Sequence, residues 1–395
     1  MKTNLLDDAI PGALSSLTHA PVALQSATLP APGAPAVSAP LPNVAATTLH
    51  PSPAPGHAST KPNGNAPRAR VRETLERGGI LVLLVLLTAL FTWREPAFFG
   101  VDNLFSILQS ASIVALLAVG VSITLAVGGF DLSVGSTAAT AQMAASYVFV
   151  VWHGNALSGL AACLALGVAT GLFNGLLITR FRVPDQLATL GTLFLLAGLQ
   201  LIPTGGRSLA TGSILPDGSE TTGAFPALFL AFGRARWLGV VPVPVLVLAG
   251  VTLLAWLITE YSRWGRVLYA TGGNETAARL AGAPTARYRV AAYVASGAIA
   301  SLGGALIAAR VGRGDVGAGH SLLLDAVAAA LIGYAVWGLK RPNVVGAVTG
   351  AVFVGVLLNG LTMLNAPYYM QDFIKGALLV GALAFTFSIG RKTGR

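Results

Sequence analysis

The chain has 395 residues, of which 54% are hydrophobic and only 10% charged, and its mean hydropathy is +0.71. A soluble domain is about a quarter charged, so water is excluded as the main solvent. The formal charge of +10 does not mark a nucleic-acid binder, because the basic residues sit in short loops between apolar runs. The single cysteine, Cys163, excludes a disulfide framework and any CxxC metal or redox site.

Residues 1–67 are dominated by Pro, Ala, Ser and Thr, as in LPAPGAPAVSAPLPN at 29–43. Such a segment buries too little apolar surface to offset its ordering entropy, and it lacks the basic, apolar and small-residue order of a signal peptide. It reads as a disordered cytoplasmic tail ahead of a transmembrane domain at 68–395.

A membrane span needs about 20 apolar residues at about 1.5 Å rise each. The candidate runs are 79–93, 104–127, 132–152, 156–178, 186–202, 238–259, 289–309, 322–337, 344–364 and 373–389. The first, fifth, eighth and tenth are short enough to be tilted, broken or half-crossing helices. Lys and Arg are retained on the cytoplasmic side of spans. With the N-terminus inside, that side receives Arg68, Arg70, Arg72, Arg77, Arg180, Arg182, Arg263, Arg266, Arg279, Arg287, Arg289, Lys340 and Arg341, whereas fewer, among them Arg207, Arg234 and Lys375, fall outside. The distribution predicts an even number of crossings with both termini inside.

ATGLFNGLL at 169–177 is echoed by VGVLLNGLT at 354–362, with Pro184 and Gly191 following the first and Pro367 and Gly376 the second. Five spans per half is an odd number, so the halves are expected to be inverted repeats. The fold class is therefore all-α: a polytopic helical membrane protein with about ten transmembrane helices in two inverted five-helix repeats, some helices broken.

The segment GGFDLSVGS at 128–136 has the character of a helix break. Gly128 and Gly129 remove side-chain constraint, while Asp131 or Ser133 can cap the helix that follows. A carboxylate at membrane depth costs about 2.5–3.5 kcal/mol on insertion scales, so Asp131 has two readings: a cap that fixes the third span, or a residue bordering a transport path. Asp325, near Gly317 and Gly319, is expected to open the eighth span in the same way. Asn174 and Asn359 are amides in apolar runs, expected to hold helices together by interhelical hydrogen bonds.

In GRVLYATGGNETAARLAGA at 265–283, Asn274 can cap a short helix, Glu275 suits its first turn, Arg279 its last, and Gly282 can end it in a left-handed conformation. His153 and His320 lack metal-ligating neighbours, and no intramembrane constellation of nucleophile and base is evident. No GxxxxGK[ST] phosphate loop occurs, so ATP hydrolysis by that route is excluded for this chain.

GGFDLSVGS resembles the signature of permease subunits of ribose-type (monosaccharide) ABC importers, in the branched-chain amino acid/ribose permease superfamily. Three further stretches agree in order and spacing: FNGLLITRFRVPDQLATLGT at 173–192, the 265–283 loop, and AGHSLLLDAVAAALIG at 318–333 with the later LLNGL at 357–361. The resemblance covers about 81–390. It implies a non-enzymatic permease, binding no cofactor itself, with ATP used by a partner subunit. The partners implied are an ABC ATPase, an extracytoplasmic sugar-binding protein and a second permease subunit in a homo- or heterodimer, with no nucleic acid. It also implies a location in the bacterial inner membrane.

By the same resemblance the ATPase-coupling loop comprises Gly272, Gly273, Asn274, Ala277, Ala278, Arg279, Leu280 and Gly282. The chain departs from the family at WGLKRPN, 337–343, where relatives carry a glycine-rich turn, and at Asp185 and Gln186, where relatives are more apolar. The alternative from residues alone is a gradient-driven secondary carrier with inverted repeats. Its weakness is the scarcity of ionisable groups within the spans.

Overall fold

The computed structural model describes residues 66–335 and 341–392. Residues 1–65 of the Pro/Ala-rich tail, and Trp337 to Lys340 of the WGLKRPN segment, lie outside the described residues.

The helices in chain order are α1 (Ala66–Arg94), α2 (Val101–Ala126), α3 (Val134–Val150), α4 (Ala156–Thr179), α5 (Asp185–Leu199), α6 (Ala227–Arg234), α7 (Val243–Trp256), α8 (Arg263–Gly273), α9 (Glu275–Leu280), α10 (Thr285–Val311), α11 (Ala318–Ala335), α12 (Val344–Met363) and α13 (Tyr368–Lys392). The chain is an all-α polytopic membrane protein. Among the described residues, six segments are long and apolar enough to cross a membrane: α2, α4, Asp185–Thr204, Val243–Tyr261, α10 and α12. Each expected apolar run falls on a helix over most of its described residues, the run 238–259 beginning in a turn and strand ahead of α7.

Helix ends follow local chemistry. Asn155 accepts a hydrogen bond from the Ser158 amide at 2.9 Å to start α4, and Asn343 caps α12 through the Gly346 amide. The third span is shorter than expected. With 127–133 drawn out of helix, α3 keeps 17 residues, about 26 Å. It is buried almost throughout although it carries several hydroxyls. Those hydroxyls return to the helix's own carbonyls: Thr137 to Ser133 at 2.8 Å, Thr140 to Ser136 at 2.7 Å, Ser146 to Gln142 at 2.9 Å.

Small residues let the helices close on one another. Gly167, Gly171 and Gly175, spaced by four, form one face of α4 against α10, and a Cβ on Gly171 would overlap the Tyr293 carbonyl. The same exclusion holds between Gly333 of α11 and Gly346 of α12. The helix pairing is matched between halves: α4 packs on α10 as α12 packs on α2, α3 on α4 as α11 on α12, and α3 on α10 as α11 on α2.

One end of the bundle carries the 200–242 segment. Leu209 pairs with Gly314, Phe225 and Phe229 stack on Phe149, and a short hairpin joins Arg236–Trp237 to Val241–Pro242. The opposite end gathers the C-terminal end of α2, the N-terminal ends of α3, α5 and α10, and the α8–α9 pair.

The two halves also share a break. Gly128, φ +80°, leaves α2; three residues later Asp131 accepts the Ser133 amide at 2.9 Å; three residues after that α3 begins. In the second half Gly312, φ +75°, leaves α10, Asp315 accepts the Gly317 amide at 3.0 Å, and α11 begins at Ala318. Asp315, not Asp325, is therefore the counterpart of Asp131. The expected role of Asp325 as a helix opener is corrected: α11 starts seven residues before it, because Ala318, Gly319, His320 and Ser321 are helical without being strongly apolar.

Candidate functional site

Asp131 lies between α2 and α3, 1% exposed, with three donors around its carboxylate. Oδ1 accepts from the Ser133 amide at 2.9 Å and its hydroxyl at 2.6 Å; Oδ2 accepts from Ser296 of α10 at 2.8 Å. Donors that favour the ionised form offset part of the cost of burying it. Ser133 precedes the first residue of α3, yet its own side chain caps no helical amide. Its hydroxyl instead receives Asn174 Nδ2 at 2.9 Å, and Asn174 Oδ1 accepts from Thr192 at 2.6 Å. Asp131, Ser133, Asn174, Thr192 and Ser296 thus form one buried network across α3, α4, α5 and α10. Asn359 joins a different contact, accepting from Asn103 of α2 at 3.1 Å.

The α8–α9 loop abuts this break. Gly128 and Gly272 approach so closely that a Cβ on Gly272 would overlap the Ala126 carbonyl, which gives both glycines a steric reason to be there. Gly273 ends α8, and Asn274 caps α9 by accepting the Ala277 amide at 2.9 Å. Ala278 faces inward at 8% exposure, while Leu280 is 84% exposed. Arg279 lies in the last turn, and Gly282 adopts φ +85° as the chain leaves the helix.

A second polar chain starts from this loop. Arg289 of α10 donates from Nη1 to Glu275 Oε2 at 2.9 Å and from Nη2 to Asp185 Oδ1 and Oδ2 at 2.6 and 2.8 Å. Tyr293 donates to Asp185 Oδ2 at 2.7 Å. Gly129 lies beside this pair, where a Cβ would stand 2.5 Å from both Asp185 Oδ2 and the Tyr293 hydroxyl. Tyr293 and Ser296 were not singled out from sequence, where Glu275 was read only as suiting the first turn of the loop helix and Arg289 only as a basic residue on the cytoplasmic side. The legible signal was an acid and a base, Asp185 and Arg289, each opening an apolar run on the same expected side.

The departure at the α11–α12 turn also acquires a location. Arg341 donates to Glu260 Oε2 at 2.7 Å and its guanidinium lies 4.6 Å from the centre of the Tyr269 ring. The Tyr269 hydroxyl donates to the Pro342 carbonyl at 3.0 Å. Burial first, then the Glu260 carboxylate, push the Tyr269 phenol up to about 12. This cluster fixes α8 to the start of α12.

Asp325 stands apart from both networks. It forms an ion pair with Lys375 of α13 at 3.3 Å, the two side chains being 10% and 17% exposed. Among the described residues no group of three His, Cys, Asp or Glu side chains is placed to hold a metal ion.

A multi-pass helical bundle with paired helix breaks, one of them seated on a capped loop helix, has the build of a membrane permease. Residues 103–383 match the family described as the permease component of a branched-chain amino acid transport system, and the chain belongs to that family. It is 37% identical over 310 residues to the ribose import permease protein of Escherichia coli (strain K12), covering 78% of this chain and 92% of that protein. The ribose import permease protein of Haemophilus influenzae (strain ATCC 51907 / DSM 11121 / KW20 / Rd) is 32% identical over 312 residues, 79% of this chain and 93% of its own. The autoinducer 2 import system permease protein of Salmonella typhi is 34% identical over 317 residues, 80% of this chain and 85% of its own.

Proposed function

We propose that this chain is the transmembrane permease subunit of an ABC importer for a monosaccharide or a similar small polar solute. A separate ATPase powers it, an extracytoplasmic binding protein feeds it, and a second permease subunit completes it. The bundle crosses a bacterial inner membrane ten times with both termini and the 1–67 tail inside, its halves inverted. The chain itself binds no cofactor and performs no covalent chemistry.

One observation carries this reading: a capped helix, α9, presents Leu280 outward while Gly272, in the last turn of α8 just ahead of it, rests on the Asp131 helix break. An exposed apolar side chain beside Arg279 offers an ATPase subunit a surface to grip. The backbone contact behind it reaches a discontinuous helix, the kind of element that alternates between open states in transporters. The coupling role falls on Gly272, Gly273, Asn274, Ala277, Ala278, Arg279, Leu280 and Gly282. The Asp131 break borders the pathway.

Uptake of labelled ribose by vesicles carrying the permease with its ATPase and binding protein tests the proposal. Uptake is expected to require ATP and to persist when an ionophore collapses the ion gradient. Uptake that survives ATP depletion and fails with the gradient would instead select a secondary carrier.

A further inference from the structure

We propose that Arg289 is a positioning residue that ties the loop helix α9 to the α2–α3 break, so that a displacement of α9 is delivered to Gly129 and Asp131. The inference rests on the reading of α9 as the element an ATPase moves.

The geometry runs along one face of α10. Arg289, Tyr293 and Ser296 follow at intervals of four and three residues, which stacks their side chains on a single stripe. The stripe begins at α9, where Arg289 Nη1 holds Glu275 Oε2 at 2.9 Å, and ends at the break, where Ser296 holds Asp131 Oδ2 at 2.8 Å. Between them Arg289 Nη2 and the Tyr293 hydroxyl both hold Asp185, at 2.6 and 2.7 Å. Asp185 presses on the break directly, since Gly129 leaves no room for a methyl group between them. One turn further along α5, Thr189 donates to the Phe130 carbonyl at 3.1 Å.

The choice of an arginine matters. Its planar fork grips two carboxylates in fixed directions, whereas a lysine ammonium on a flexible stem is a point charge. With the Arg289 and Asp185 side chains 18% and 17% exposed, water competes little for that pair, and Glu275 at 40% exposure is the wetter end of the fork. The fork therefore holds Glu275 and Asp185 at a set separation, and α9 cannot shift without drawing on α5 and the break or releasing the grip. Arg279 sits on the same helix outside this chain of contacts, so it supplies a matched comparison.

The test is hydrogen–deuterium exchange on the full-length permease in lipid nanodiscs, comparing 127–133 with 274–282. Glu275→Gln weakens the link at the loop by removing its charge, without altering a member of the buried Asp131 network. It is expected to raise exchange in both segments, roughly threefold or more at the break. Arg289→Lys is expected to do the same, and Arg279→Gln to leave the break at its original rate. Unchanged melting and unchanged exchange in α12 confirm that the variants are folded. Exchange at 127–133 that stays at the wild-type rate in Glu275→Gln overturns the link, whether or not 274–282 loosens, and so does a rise equalled by Arg279→Gln. Retention of the ATPase by the wild-type permease is measured separately. Its absence would remove the proposed function while leaving the exchange result to decide the link.

Discussion

Asp131 illustrates how a single buried carboxylate is tolerated. The cost of burying it is offset in part by three donors, two from Ser133 in the break itself and one from Ser296 of α10. Asp131→Asn retains an oxygen for Ser133 and presents an amide to the Ser296 hydroxyl, so its stability in detergent is expected within about 1 kcal/mol of the original. Asp131→Ala strands the Ser133 amide and Ser296 hydroxyl, at about 1–3 kcal/mol each. Equal losses from the two variants in a denaturant titration would show that the charge, not the bonding, holds the break. Tyr269 gives a pH prediction. Its phenol is raised in the folded protein, so its contribution to stability is complete below the unfolded value near 10 and declines as pH rises through about 12. The absorbance difference between the protein and Tyr269→Phe should show no phenolate from this residue at pH near 10, where exposed tyrosines titrate.

At the scale of elements, the loop helix and the tight helix pairs behave differently. The six residues of α9 are too few to be stable alone, and Asn274→Ala is expected to cost about 1 kcal/mol of local stability, read as faster exchange at 275–280 and weaker ATPase retention. For the α4–α10 pair, Gly171→Leu forces a side chain into the α10 backbone, with a loss of about 3 kcal/mol or more and little monodisperse protein on size exclusion. Gly191→Ala on α5, where nothing lies within 4 Å, should leave the profile unchanged. The capping of α9 was legible in sequence because it is local. The start of α11 was not: hydropathy located the apolar run from 322, while the helix begins at Ala318 under the control of the Gly312–Asp315 turn.

For the whole molecule, the matched packing of α4 on α10 and α12 on α2 fits two halves of one plan. The proposed orientation is open to direct test. In a Cys163→Ala background, Asp217→Cys in the 204–226 loop should react with a membrane-impermeant maleimide on intact cells, and Arg279→Cys only after permeabilisation. The reverse pattern would invert the topology. The loop that carries Asp217 pairs Leu209 with Gly314 at the α10–α11 break, whereas Arg279 lies on the loop beside the α2–α3 break. The two helix breaks are thus approached from opposite ends of the bundle, each under its own loop.

The Asp131 break itself was the most readable feature of the chain, since two glycines followed by Asp and Ser interrupt an apolar run whatever surrounds them. Composition and local spacing by themselves determined a membrane solvent, the apolar helices, the capped α9 and that break. These depend on residues within a turn or two of one another, where backbone and solvent preferences suffice. Only the tertiary structure decided which polar groups meet. Ser296 lies 165 residues from Asp131, and Arg289 lies 104 from Asp185. No local pattern pairs such residues, because the contact exists only once small residues let α4 and α10 close and bring α5 alongside. Likewise, Asp315 rather than Asp325 corresponds to Asp131 because the left-handed turn at Gly312, not hydropathy, sets where the second half resumes its helix.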